Sequence, residues 1–175
     1  MFSNPKNNII HLGLKRGMRV ADFGVGSGHY TILASEIVGD EGRIYAIDIQ
    51  DELLRKIKNL SVSEHRYNID ILHGDIEKIG GAKLGDNTID AVIFTNILFQ
   101  IEKKNNAIAE IKRVLKIKGK IMIVDWMDSF KGIGPEAKNI VTESEAEKLF
   151  TENGFEFVER FDAGEHHYGF IFMKA

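Results

Sequence analysis

Three glycines at alternate positions, Gly24, Gly26 and Gly28, follow the apolar run Val20-Ala21-Asp22-Phe23. Glycine lets a backbone turn sharply off a strand and lets a ligand approach where a Cβ would collide. The pattern therefore predicts a nucleotide-like cofactor at the carboxyl end of a first β-strand. Asp48, 20 positions beyond Gly28, ends a second predicted strand, where a carboxylate accepts both hydroxyls of a ribose. That residue supports adenosine without choosing among adenosine cofactors. A dinucleotide site wants G-x-G-x-x-G, with a pyrophosphate on the following helix N-terminus. Here the slot for the last of those glycines holds His29, and the match fails.

Strand and helix patterns alternate around these residues. Arg19–Phe23 reads as strand one. Tyr30, Leu33, Ala34, Ile37 and Val38 share one helical face, and Gly39 and Gly42 end that helix. Arg43–Ile47 is strand two, and Leu53, Leu54, Ile57 and Leu60 mark a second amphipathic helix. Tyr67–His73 alternates like a half-buried strand near a sheet edge. Ile89–Phe94 is strand four. Ile108, Ile111, Val114 and Leu115 mark a helix stopped near Gly119, and Lys120–Val124 is a β-branched fifth strand expected at the sheet centre. Thr142-Glu143-Ser144-Glu145 reads as a capping box opening another helix, closed by Gly154. Phe155–Phe161 and Tyr168–Met173 are the last strands. The alternation predicts one Rossmann-like, doubly wound α/β domain over residues 1–175. Its sheet is seven-stranded and mostly parallel. The last strand has no room for a crossover and must run antiparallel.

The acidic-x-G-x-G-x-G pattern resembles motif I of class I S-adenosylmethionine-dependent methyltransferases. The resemblance covers most of the chain. It implies S-adenosyl-L-methionine as cofactor, held by Asp22, Gly24, Gly26, Gly28, Asp48 and Ile49. Asp22 would supply negative charge where that cofactor is cationic. Asp75 in Gly74-Asp75-Ile76 matches the acidic residue that meets the adenine amino group, with Ile76 against the ring. Phe94-Thr95-Asn96-Ile97-Leu98-Phe99-Gln100 resembles the segment lining the methyl-donor site, which adds Asn96. Arg113-Val114-Leu115-Lys116-Ile117-Lys118-Gly119-Lys120 is similar to the R-V-L-K-P-G-G turn of small-molecule methyltransferases. The quinone-biosynthesis C-methyltransferases are the nearest in pattern, although they commonly carry a His pair where this chain has Phe99-Gln100.

The implied reaction is an in-line displacement of methyl from a sulfonium. The protein must hold donor and acceptor about 3 Å apart and dry. A base is needed only for an acceptor that must lose a proton. Ligands of open α/β sheets sit at the carboxyl ends of the strands. Asp125, His166 and His167 fall on that rim and are the acid–base candidates. Gln100, Trp126 and Tyr168 are candidates for acceptor binding, and Phe99 and Phe130 extend an aromatic wall. The segment Phe2–Leu14 and the loop Met127–Ile140 are candidate lids. No third ligand stands at a metal-site spacing from the histidine pair.

Composition narrows the partners. The chain has 175 residues, 43% of them hydrophobic and 28% charged, with a net charge of -3. That charge offers no field for nucleic acid or an anionic membrane. No apolar run approaches the roughly 20 residues that span a bilayer, and no signal peptide is evident at the N-terminus. The chain has no cysteine, which excludes thiolate chemistry and fits a cytoplasmic location. A small-molecule methyl acceptor is the expected partner. An NAD(P)-binding oxidoreductase and a non-catalytic S-adenosylmethionine-binding module are the competing readings.

Overall fold

The computed structural model describes residues 3–130 and 132–175. Phe2 of the first candidate lid and Lys131 of the second lie outside the described residues. The chain begins with α1 (Pro5–Leu12), then β1 (Arg19–Phe23), α2 (His29–Val38), β2 (Arg43–Asp48), α3 (Asp51–Ser63) and β3 (Ile69–His73). There follow β4 (Ile89–Thr95), a 3-10 turn (Leu98–Gln100), α4 (Lys104–Val114), β5 (Leu115–Trp126), α5 (Glu143–Glu152), β6 (Phe155–Asp162) and β7 (His167–Lys174). Among the described residues seven strands form one sheet, in the order β3-β2-β1-β4-β5-β7-β6. β7 runs antiparallel to both of its neighbours, and the remaining pairings are parallel.

Strand alternation divides the core between two faces. Phe23, Val92, Phe94, Ile121 and Ile123 pack with Ile108 and Ile111 of α4 and Phe150 of α5. Val20, Ile93, Met122 and Val124 pack with Ile9 and Leu12 of α1 and with Ala34 and Val38 of α2. Ala46 packs on the other side of β2 from Ile47, against Leu54 and Ile57 of α3. Chain order runs outward from β1 through β2 to β3, then returns to place β4 on the other flank of β1. Ligands bind at such a switch point, above the carboxyl ends of the strands.

Two boundaries differ from those read in the sequence. The helix expected to continue toward Gly119 stops at Val114, and β5 begins at once with Leu115. The register jumps from Ile89↔Leu115 to Ala91↔Lys120, and Lys118 takes a positive φ of 64°. An irregular strand entry of this kind loses its period-two signal. The second difference is α1, a helix within the segment Phe2–Leu14 that was expected to be a lid and was assigned no secondary structure. Its signals were present: the Asn4 side chain accepts from the Asn7 amide, Pro5 opens the helix, and Gly13 closes it at φ 66°. The expected capping box of α5 is formed, with Thr142 and Glu145 each bonding the other's backbone.

Candidate functional site

A cavity of about 550 Å³ opens at the switch point. Its wall is built from four strand ends: Gly24–Ser27 after β1, Asp48–Gln50 after β2, Gly74–Glu77 after β3 and Thr95–Ile97 after β4. The three glycines serve different ends. A Cβ at Gly24 would collide with the Ile97 side chain, and one at Gly28 with Ile57 of α3. These two let the bend pack tightly against the protein. A Cβ at Gly26 would meet nothing nearer than the Gly24 carbonyl, 4.0 Å away. The open space there faces the cavity.

Asp48 is buried at the end of β2. Its Oδ1 accepts from the Gln50 amide at 2.9 Å. Ile49, beside it, is apolar yet 58% exposed, and it lines the cavity with Leu53 and the buried Ile76. Asp75 forms the opposite wall. Its pairing with Lys78 at 2.9 Å, and the Glu77 amide it accepts from, hold its carboxyl below the usual range. Two buried oxygens have no hydrogen-bond partner among the described residues, Asp22 Oδ1 and Asn96 Oδ1. Asn96 lines the cavity in a left-handed conformation, φ 55°. Asp22 is not in the cavity wall. It sits beneath the bend, where Oδ2 accepts from the Thr31 hydroxyl of α2 at 2.5 Å.

This set of groups fits the cofactor that the resemblance implies. A buried carboxylate at a strand end, apolar side chains on the wall and unpartnered buried oxygens are the groups that a ribose, a flat ring and a cation would need. A burial with unpaired acceptors costs about 1–3 kcal/mol each, so their presence is informative. Sequence reading missed Ser3, Pro5, Tyr30 and Ile101, which also line the cavity. Tyr30 was legible only as part of a core-facing helix stripe, and Ser3 depends on α1.

The acid–base and acceptor candidates are placed differently. Of them only Gln100 lines the cavity, and its Nε2 donates to the Asn96 carbonyl at 2.9 Å. Asp125 is 2% exposed and lines neither this cavity nor its neighbour. Its two oxygens accept from the Leu98 and Trp126 amides at 2.8 Å. It therefore anchors the 3-10 turn after β4 and does not line the cavity, where the expected acid–base role would place it. Burial pushes its pKa up to about 6 against those amide bonds. Tyr168 is fully buried, packs on Phe170, and donates its hydroxyl to the Val141 carbonyl. It belongs to the core and lines neither cavity, although it was expected to face the acceptor.

Trp126, His166 and His167 lie outside the cavity wall, in two aromatic pairs. The Trp126 and His167 rings lie 4.2 Å apart, and Phe130 stacks on His166 at 4.4 Å. His166 Nδ1 lies 2.7 Å from Asp128. Of the two histidines, His167 is the one turned inward, at 2% exposure.

A second depression of about 670 Å³ adjoins the first and shares Gln100 and Ile101 with it. Phe99, Ile140, Val141 and Leu149 give it an apolar floor, with Lys104 and Lys138 at its rim.

A methyltransferase-domain family model matches residues 14–163. The ubiquinone/menaquinone biosynthesis C-methyltransferase UbiE of Pasteurella multocida is 30% identical over 118 residues, 65% of this chain and 42% of that protein. The chain thus matches less than half the length of that relative. An S-adenosylmethionine-dependent methyltransferase from Aquifex aeolicus superposes with TM-score 0.90 at 27% identity, covering 99% of this chain and 91% of that one. A putative type 11 methyltransferase from Sulfolobus solfataricus superposes with TM-score 0.78 at 26% identity, covering 100% and 95%. The dinucleotide reading finds no support in these likenesses. No helix among the described residues is long and apolar enough to cross a membrane. The family match, the glycine bend and the strand-end carboxylates agree: the chain belongs to the S-adenosylmethionine-dependent methyltransferases.

Proposed function

We propose that the protein transfers a methyl group from S-adenosylmethionine to a small-molecule acceptor. The observation that carries this reading is the donor set of the cavity. Asp48 stands where a ribose is held, the open space at Gly26 and the unpartnered Asn96 oxygen lie on the cavity wall, and the unpartnered Asp22 oxygen is buried beneath the bend. When bound, the cofactor supplies an electrophilic methyl group. The residues of this chain bind and orient it. Asp48 accepts the ribose hydroxyls, Asp75 meets the adenine edge, and Ile49 and Ile76 bracket the ring. Asp22 and Asn96 favour the cationic end. The start of α1, with Ser3 and Pro5 on the wall, shields the cavity from water.

The acceptor occupies the adjoining depression, which mixes apolar side chains with Glu102, Lys104, Lys138 and Glu145 and meets the first cavity at Gln100 and Ile101. This arrangement catalyses by proximity and exclusion of water. No side chain is assigned as a base, because Asp125, His166 and His167 line neither cavity.

The test is transfer of labelled methyl from S-adenosylmethionine into a small-molecule metabolite extract. A labelled low-mass product is expected. Tight cofactor binding with no product from any extract fraction would make the protein a binding module instead. Asp48→Ala is expected to weaken cofactor binding by about 1–3 kcal/mol through loss of charged hydrogen bonds. Titration calorimetry measures this. A change confined to melting temperature would show that Asp48 serves only the Gln50 amide.

A further inference from the structure

Asn8 is 1% exposed, although its neighbours Lys6 and Asn7 on α1 face solvent. Its Nδ2 lies 3.0 Å from Ser3 Oγ, 3.0 Å from Tyr30 Oη and 3.1 Å from the Ala163 carbonyl. The Ala163 carbonyl can only accept, so it fixes which end of the carboxamide is the NH2. One N–H serves that carbonyl, and the other is shared between the two hydroxyl oxygens. Both hydroxyls gather on the Asn8 nitrogen, and each can use its own O–H only as a donor. An O–H therefore remains to donate elsewhere. Ser3 and Tyr30 both line the cavity alongside Gly24, Gly26 and Ser27. The wall opposite supplies acceptors on Asp48 and Asn96.

An amino-acid tail carries an ammonium and a carboxylate. The unpartnered oxygens of Asp22 and Asn96 suit the ammonium. The hydroxyl pair is a neutral donor that suits the carboxylate. We propose that Asn8 is a positioning residue for the cofactor's amino-acid tail. Through Ser3 and Tyr30 it presents a hydroxyl donor to the tail carboxylate, and its bond to Ala163 fixes α1 in the closed position. The proposal rests on the cofactor reading above and adds the residue that completes the tail's recognition. Asn8 touches no ligand itself.

The experiment compares two ligands by titration calorimetry. S-adenosylhomocysteine carries the whole tail, and 5′-methylthioadenosine lacks it. Asn8→Ala is expected to weaken the first about tenfold or more, as one lost hydrogen bond to a charged group does. It should leave the second within about twofold. Asn8→Ala combined with Tyr30→Phe should be scarcely weaker than Asn8→Ala alone, because residues acting as one unit are not additive. Ser3→Ala, at a half-buried position, is expected to show the same selectivity, and it carries the test if Asn8→Ala does not fold. Equal weakening of both ligands, or additive losses in the double variant, would overturn the proposal and leave α1 a structural prop. Wild-type protein that binds neither ligand would remove the cofactor reading itself, and this one with it.

Discussion

A valine at Gly26 is expected to lower cofactor affinity by more than about a hundredfold, roughly 2.8 kcal/mol, while the protein stays folded. The protein itself opposes the new side chain little, since its Cβ would meet only the Gly24 carbonyl at 4.0 Å. The φ of 49° adds a left-handed strain of about 1–2 kcal/mol. What the valine occupies is cavity. Gly24→Ala and Gly28→Ala behave differently, because their Cβ atoms strike Ile97 and Ile57. Those variants are expected to melt at lower temperature before any question of binding arises. Calorimetric titration alongside thermal unfolding separates the cases. Unchanged affinity in folded Gly26→Val would take this bend out of the site.

Cofactor affinity is also expected to rise with pH, about tenfold per unit up to neutrality, and then to level off. The reason is Asp22. Burial pushes its pKa up from 3.8 to about 7, against the pull of the Thr31 hydroxyl and with a small push from Asp48. In the unfolded chain it returns to its ordinary value. The ligand-free fold therefore favours the protonated acid. Its contribution to stability is complete below the unfolded pKa and is lost as pH rises through 7, a change on the order of 4 kcal/mol. Asp125, pushed up to about 6 by burial, acts in the same sense. A cationic ligand favours the ionised carboxylate, so binding below pH 7 must release a proton. Titrations in buffers of different ionisation heat count that proton. Asp22→Asn is expected to remove the pH slope and to raise the melting temperature of the ligand-free protein at pH 8. An affinity that stays level between pH 5 and 8 would disconnect Asp22 from the ligand.

The parallel half of the sheet was legible because its strands announce themselves locally. Arg19–Phe23 has the same bounds in sequence and structure, and Asp48 and Gly74-Asp75-Ile76 fall at strand ends as the alternation requires. Residues fixed by chain order were therefore read well. Residues whose meaning depends on facing direction were not. Asp125 ends a strand on the expected rim, but its side chain turns under the 3-10 turn and meets amides. Tyr168 pairs with Asp125 across β5 and β7, and its ring points into the core. A one-residue change of face reverses such an assignment, and no local pattern records it. Ser3 and Asn8 were missed for another reason. Their partners Tyr30 and Ala163 are distant in sequence, and only the docking of α1 brings them together.

The clamping of the glycine bend by Ile97 on one side and Ile57 on the other has a kinetic consequence. A loop already wedged between two side chains has no ordering step left to perform when ligand arrives. Association should then proceed without a folding lag.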